Sequence, residues 1–502
     1  MCAVMLVCCL SGCGERTAVG ANGDADGETK ETVAGIDEVG YILPYLRSDS
    51  LNPYDAEQEI NRNLTLLLYD SLFTIDNSFK AVPQIAESYT SDDKSLTVKI
   101  KSGLTFTDGS ALTASDVVYS FDKAKKSDRY SRALSNISSV RDSDLQTVVF
   151  SLKEECPYEV NNLTFAIIKS GSDGDDDTLP TGSGRYTVTE DNDEKSLKVN
   201  KTRLGGYNPR YNLIGLLGIT ESSSVTDLFS VSEIDFSKDN FDEGKYVRYS
   251  GETTCVDLTN FVYLGINSST PELQISEVRR AIALALNRND LASVSYAGFA
   301  TATSTPFNSK FYDIQNCTLP PIKQNKTAAE ELLDEAGFST VSEKGIRYGT
   351  GGSLYFTMAV NKDNSFKQAM ARSIQQSLED VNIEVYIAEY PYAQYLEAVK
   401  SGKYDLYLSE TKLSYSFDLS EFFESGGGLS YGIDTDCPSA EKYEEFKSGE
   451  ATMQNFLDTF ADDLPFIPLA YRCGAAVKSE NIKTQISPTV GDCFADIDEW
   501  TV

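Results

Sequence analysis

Residues 50–76, SLNPYDAEQEINRNLTLLLYDSLFTID, and residues 81–124, AVPQIAESYTSDDKSLTVKIKSGLTFTDGSALTASDVVYSFDKA, decide how this chain is read. Ile60, Leu64, Leu67 and Leu68 recur at helical spacing, which leaves Asn61 and Arg62 to face water. The pattern then changes period. LFTID reads as a short strand, and Leu96, Val98 and Ile100 alternate as in a half-buried one. Asp108-Gly109 marks a tight turn. Thr113 with Asp116 three residues on predicts a capped helix whose apolar stripe is Val117, Phe121 and Ala124.

Residues 140–205 are β-rich, with strands expected at TVVFSL and KSLKVN and the loop SGSDGDDDTLPTGSGRY between them. Asp173, Asp175, Asp176 and Asp177 in that loop lack the spaced ligands and distant glutamate of a calcium hand, so they read as a solvated turn. From Ser276 the helices lengthen. SEVRRAIALALNRNDL sets Val278, Ile282, Ala285 and Leu286 on one face, and TAAEELLDEAGF carries a Thr327–Glu330 capping-box pattern that stops at Gly337. SFKQAMARSIQQSLEDVNIEVYIAEY aligns Phe366, Met370, Ile374 and Leu378 on a helix, then alternates at Ile383, Val385 and Ile387. PYAQYLEAVKSGKYDLYLSE repeats the move. Helix–strand alternation of this kind implies an α/β fold with some parallel pairing.

Composition narrows the function. A chain of 502 residues exceeds what one core organises, so two or three lobes are expected. A formal charge of −32 argues against nucleic acid, whose phosphates require a basic surface. Histidine is absent, which excludes Ser-His-Asp and Cys-His hydrolases and HExxH metalloproteases. No GxGxxG after a strand and no Walker A sequence occurs, so no cofactor and no metal is expected. Cys156, Cys255, Cys317, Cys437, Cys473 and Cys493 are scattered without a CxxC pair; which of them pair stays open.

Residues 1–12, MCAVMLVCCLSG, are uncharged and mostly apolar, shorter than the roughly 20 residues of a membrane span but suited to a signal peptide. Leu10-Ser11-Gly12-Cys13 has the lipobox pattern of a bacterial lipoprotein: a branched apolar residue, two small ones, then the cysteine that takes the lipid. Residues 13–37 hold little to bury and read as the lipidated Cys13 followed by a flexible tether. The expected location is the cell membrane, anchored on its extracytoplasmic face.

Taken in order, several stretches resemble the bacterial family 5 extracellular solute-binding proteins, the oligopeptide- and dipeptide-binding components of ABC importers. They are the two N-terminal blocks above, PTGSGRYTV at 180–188, VRRAIALALNRNDLASVSYAGFATATSTPF at 278–307, TAAEELLDEAGF at 327–338 and LPFIPLAY at 464–471. The resemblance implies a two-lobed, Venus-flytrap fold of the type II periplasmic-binding class with an extra β-rich subdomain. One lobe would hold 38–258 and 465–502, with the subdomain near 56–179, and the other lobe 259–464. NFVYLGIN and LPFIPLAY would be the hinge crossings.

The resemblance also implies ligand contacts. An aspartate in the loop after the strand YDLYL pairs with a peptide ammonium in relatives, and Asp418 stands at that position; it also suits a cap for the helix near Ser420. Tyr415 and Phe417 offer an apolar wall or a local core. Leu51 and Asn52, with Gly184 and Tyr186, match segments that face the cleft, where backbone groups would bond an extended peptide. Asn361 stands where dipeptide binders carry an arginine, which turns the expectation toward longer peptides or another solute. Arg279 reads as a structural ion pair. The expected protein is a monomeric, non-enzymatic lipoprotein that delivers peptides to an ABC permease. The alternatives are a receptor for another small solute such as a nickel chelate, and a carboxylate-dependent glycosidase, for which no acid pair is marked out.

Overall fold

The computed structural model describes residues 36–502, apart from 175–177, 193 and 204. The expected signal peptide, Cys13 and most of the tether lie outside the described residues, as do Asp175, Asp176 and Asp177. No helix among the described residues is long and apolar enough to cross a membrane.

The N-terminal pattern folds as its periodicity predicts. Glu59–Leu68 is a helix that buries Ile60, Leu64, Leu67 and Leu68, and it buries Asn61 as well. Asn61 lies on the inner face because its amide is needed there: it accepts from Leu46 N at 2.8 Å and donates to Leu46 O at 3.0 Å. Ala114–Ala124 is a helix whose Asp116 Oδ2 accepts from Thr113 N at 2.9 Å, as the capping-box spacing predicts. The Thr327–Glu330 pattern does not cap its helix. The helix Lys326–Glu335 begins one residue before Thr327, and Asn325 caps it by accepting from Ala328 N at 3.1 Å.

Five sheets form. One is an antiparallel sheet in the order Ala86–Asp92, Ser95–Ile100, Thr147–Leu152, Ile137–Asp144. A second pairs Ile36–Leu46 in parallel with Tyr211–Ile219, then adds Glu194–Val199 and Tyr186–Asp191 antiparallel. Alternation from Ser365 onward gives the helix Ser365–Glu379, the strand Glu384–Tyr390, the helix Tyr392–Lys400 and the strand Leu406–Lys412. Tyr355–Asn361 pairs in parallel with both of those strands. The helix Ser365–Glu379 buries Phe366, Met370, Ile374 and Leu378 against the sheet, the stripe expected of it.

The largest sheet runs Phe236–Asp239, Phe466–Lys478, Glu252–Ile266, Leu406–Lys412, Tyr355–Asn361, Glu384–Tyr390, with Ala300–Ala302 also pairing with Phe466–Lys478. Every residue of Phe466–Lys478 is buried, as a strand covered on both faces requires. NFVYLGIN and LPFIPLAY therefore pair with each other. Their register jumps between Asp257, opposite Cys473, and Phe261, opposite Tyr471. On one side of the jump Glu252–Ile266 has Phe466–Lys478 as its partner; on the other, residues 260–266 gain Leu406–Lys412 as well. Two apolar cores flank this region. One surrounds the large sheet, and the other packs Trp500, Phe494 and Phe236 with the N-terminal elements.

Candidate ligand-binding cavity

Beside the register jump lies a cavity of about 410 Å³, within the roughly 300–1,000 Å³ of small-ligand sites. Asp257, Leu258 and Thr259 line it from the strand, and residues 412–416 line it from the end of Leu406–Lys412 and the loop beyond. Thr259 ties the two: its Oγ1 donates to Leu413 O at 2.6 Å, and Leu413 N donates to Thr259 O at 3.0 Å.

The loop after the strand is shaped by Phe417. Its backbone is left-handed, with φ 53°, at a cost of about 1–2 kcal/mol for a bulky residue. The ring is 1% exposed and packs against Phe79 at 5.1 Å and Phe311 at 4.8 Å. Burying such a ring returns about 3 kcal/mol, with roughly 0.5–1.5 more from the aromatic contacts, so packing prevails over backbone strain. Phe417 is thus a core anchor that lines no part of the cavity, whereas Tyr415 and Asp418 beside it do line it.

Asp418 Oδ1 is fully engaged. It accepts from Ser420 N at 3.0 Å, Ser420 Oγ at 2.7 Å and Tyr443 OH at 2.9 Å. Among the described residues nothing bonds to Oδ2 and no cation pairs with this carboxylate. Leu419, not Asp418, is the N-cap of the helix Ser420–Phe423, but Asp418 bonds its first residue and lines the cavity as well. Beside this loop, the short helical turn Glu159–Asn162 presents Glu159, only 3% exposed. Its two oxygens accept from Asn136 Nδ2 at 3.1 Å and Asn162 Nδ2 at 3.3 Å. Burial, with the charge of Asp418 added, outweighs those amides and lifts its pKa to about 7. Asn162 also donates to Ser416 Oγ at 3.1 Å and accepts from Ser416 N at 3.2 Å, which clamps this turn onto the Asp418 loop.

The other part of the wall is basic. Lys238 and Glu59 pair at 3.0 Å. Burial would raise Glu59, but Lys238, Lys412 and Arg129 outweigh it and hold the carboxyl at about 2. Arg129 donates to Thr65 Oγ1 at 2.9 Å and lies over the Tyr130 ring. Burial and the neighbouring Lys238 lower the pKa of Lys412, and its ammonium makes no ion pair among the described residues. Glu59 thus feels three cations, Lys238, Lys412 and Arg129, while Asp242 also acts on Lys412. Arg132 and Glu421 meet at the rim, 2.7 Å apart.

The remaining sequence candidates lie elsewhere. Leu51 is buried in a core, and Asn52 folds back on its own turn, donating to Asp55 and accepting from Tyr54 N. A Cβ at Gly184 would sit 2.3 Å from the backbone of Leu68, so this glycine serves close packing, and Tyr186 is wholly buried. Asn361 closes its strand and accepts from Asp363 N at 3.0 Å. None of these lines the cavity. Arg185 is buried, pairs with Asp492 at 2.7 Å and donates to Phe494 O, fixing the 490–493 segment that does line it. Arg279 is the structural ion pair its position predicts, 2.9 Å from Asp463. Reading the sequence missed Glu159, Lys238, Lys412 and Arg129. No group of three or more histidine, cysteine or acidic side chains suited to a metal occurs among the described residues.

The profile described as "Bacterial extracellular solute-binding proteins, family 5 Middle" matches residues 80–428. The glutathione-binding protein GsiB of Salmonella typhi is 23% identical over 490 residues, covering 89% of this chain and 92% of that protein. The oligopeptide-binding protein AppA of Bacillus subtilis, solved with a nonapeptide, superposes with a TM-score of 0.59 at 21% identity, over 94% of this chain and 100% of that one. NikA of Brucella suis, solved with Fe(III)-EDTA, superposes with a TM-score of 0.69 at 18% identity, over 92% and 99%. The fold is accordingly the two-domain, type II periplasmic-binding architecture.

Proposed function

The chain belongs to the bacterial extracellular solute-binding proteins of family 5, and we propose that it captures short peptides in the cavity and delivers them to an ABC importer. The observation that carries this reading is the split polarity of the wall. Asp418 and Glu159 would take the ligand ammonium, and Lys412 with Arg129 would take a carboxylate, as a zwitterion requires. The basic cluster would then do the work of the arginine that Asn361 replaces. Tyr415 would supply apolar contact. The volume favours a peptide of few residues over a long one.

In this reading 38–258 with 465–502 form one lobe, with a subdomain near 56–179, and 259–464 form the other. Closure about the Asp257–Phe261 jump would bring the ammonium and carboxylate partners onto the ligand. Cys13 would carry the lipid that keeps a monomeric receptor beside its permease.

A second reading rests on the same basic cluster. Lys412, Arg129 and Lys238 also suit the carboxylates of a metal chelate, the kind of ligand that the NikA structure holds. Mass spectrometry of ligand released from the protein purified out of its host decides between them. A short peptide supports the first reading; a polycarboxylate chelate replaces it with the second. The relatives are binding proteins, which agrees with a receptor that performs no chemistry.

A further inference from the structure

The antiparallel pairing of Glu252–Ile266 with Phe466–Lys478 sets Cys255 opposite Ala475 and Asp257 opposite Cys473. Side chains alternate faces along a strand, so all four lie on one face and the two thiols are diagonal neighbours. Cys255 is exposed, while Cys473 is buried. Cys473 Sγ lies 3.7 Å from Asp257 Oδ1 and 3.8 Å from Thr301 Oγ1. Lys310 Nζ is 2.5 Å from Asp257 Oδ2, which places a cation beside the pair. All six cysteines in the described residues are unpaired thiols.

We propose that Cys255 and Cys473 are a redox modification site, a dithiol that closes to a reversible disulfide across the two long strands beside the ligand cavity. Diagonal neighbours have Cα atoms about 7–8 Å apart, and a disulfide needs less than about 7 Å, so the strands must approach by about an ångström. The register is broken directly beyond Asp257 and Cys473, so the pair sits at the end of a regular run of pairing, next to an irregularity in the ladder. Interaction between the thiols, with Lys310 adding, holds Cys255 below the usual thiol range and pushes Cys473 above it. The exposed sulfur is therefore the attacking one.

The oxidant is a small external disulfide, of a class that persists outside the cytoplasm. Cys255 thiolate attacks it, forming a mixed disulfide and releasing one thiolate. Cys473 then gives up its proton, for which Asp257 is the nearest carboxylate, and attacks Cys255 Sγ, expelling the second thiolate. Two protein thiols are oxidised and one external disulfide is reduced to two thiols. Because Asp257 also lines the cavity, the bond clamps the strands where ligand binds.

The test is exposure of the full folded protein to hydroxyethyl disulfide, then alkylation and non-reducing peptide mapping. The proposal expects a linked peptide joining residues 255 and 473, a mass loss of about 2 Da restored by reduction, and a higher melting temperature in the oxidised form. Cys255→Ser, at an exposed position, is expected to melt like the parent and lose the mass change; Cys473→Ser is expected to stop at the mixed disulfide. A stable mixed adduct on Cys255 in the parent, linkage to other cysteines, or an oxidised form that melts no higher would overturn it.

Discussion

Arg132 and Glu421 form a two-point ion pair at the rim of the cavity: Nη2 lies 2.7 Å from Oε2 and Nε lies 3.2 Å from Oε1. The same guanidinium donates to Lys412 O at 3.1 Å, so it also fixes the strand end that carries the unpaired ammonium. Both side chains are about half exposed, 52% and 44%, so the pair adds only about 0–1 kcal/mol to stability. Its effect should be on exchange of ligand. Arg132→Ala is expected to leave the melting temperature within about a degree and to speed ligand dissociation by a few-fold. Stopped-flow release measured against salt checks this, and the parent's rate should rise toward the variant's as salt screens the pair.

Asp418→Asn keeps an oxygen for Ser420 and Tyr443 but removes the charge offered to an ammonium. A hydrogen bond to a charged group contributes about 1.5–3 kcal/mol, so peptide affinity should fall roughly 10- to 100-fold. Affinity for N-acetylated peptides should change little. Equal affinity of parent and variant for a free peptide in calorimetry would remove Asp418 from the site.

Glu159 makes stability depend on pH in a specific direction. Its folded pKa of about 7 lies above its unfolded value of about 4.5, so between those pH values the folded state holds a proton that the unfolded state has released. The group therefore destabilises the fold progressively as pH rises from about 4.5 to 7, by on the order of 3 kcal/mol in total. Glu159→Gln should flatten this slope and melt higher than the parent at pH 7.5. A parent and variant with parallel melting curves across that range would contradict the account. An ammonium bound beside Glu159 should also expel its proton, so binding at pH 7 should release protons in the parent and not in Glu159→Gln.

Glu410, in the strand Leu406–Lys412 of the large sheet, lies between Lys367 Nζ at 2.5 Å and Arg472 Nη1 at 2.6 Å. Burial would raise its pKa, but the two cations outweigh it and hold the carboxyl at about 2. Its stabilisation is present above the unfolded value of about 4.5 and is lost as pH falls toward 2. Glu410→Gln leaves Lys367 buried without a counter-charge and Arg472 with only the exposed Asp242, 3.4 Å away, and should cost about 3–5 kcal/mol, read as a fall in the urea midpoint.

What the sequence makes legible follows from how locally each feature is encoded. The stripe of Phe366, Met370, Ile374 and Leu378, and the alternation at Leu96, Val98 and Ile100, are set by near neighbours and fold as read. Asp418 enters as a candidate only through the family resemblance, which places an aspartate in the loop after the strand; the structure puts that residue on the cavity wall. The basic cluster is not, because Arg129, Lys238 and Lys412 come from three distant segments that meet only in the folded chain. Glu159 is hidden for the same reason: its character arises from burial and from Asp418, far away in sequence. Gly184 and Asn52 are candidates through the family resemblance alone; in the structure the one serves close packing and the other a local turn, and neither lines the cavity.

The central claim is that the cavity reads both ends of a short zwitterion. The most direct measurement is isothermal titration of one short peptide in four forms: free, N-acetylated, C-amidated and blocked at both ends. The account predicts that each single block weakens binding by at least about tenfold and that the double block weakens it further, in line with about 1.5–3 kcal/mol per charged contact. A doubly blocked peptide that binds as tightly as the free one would contradict it.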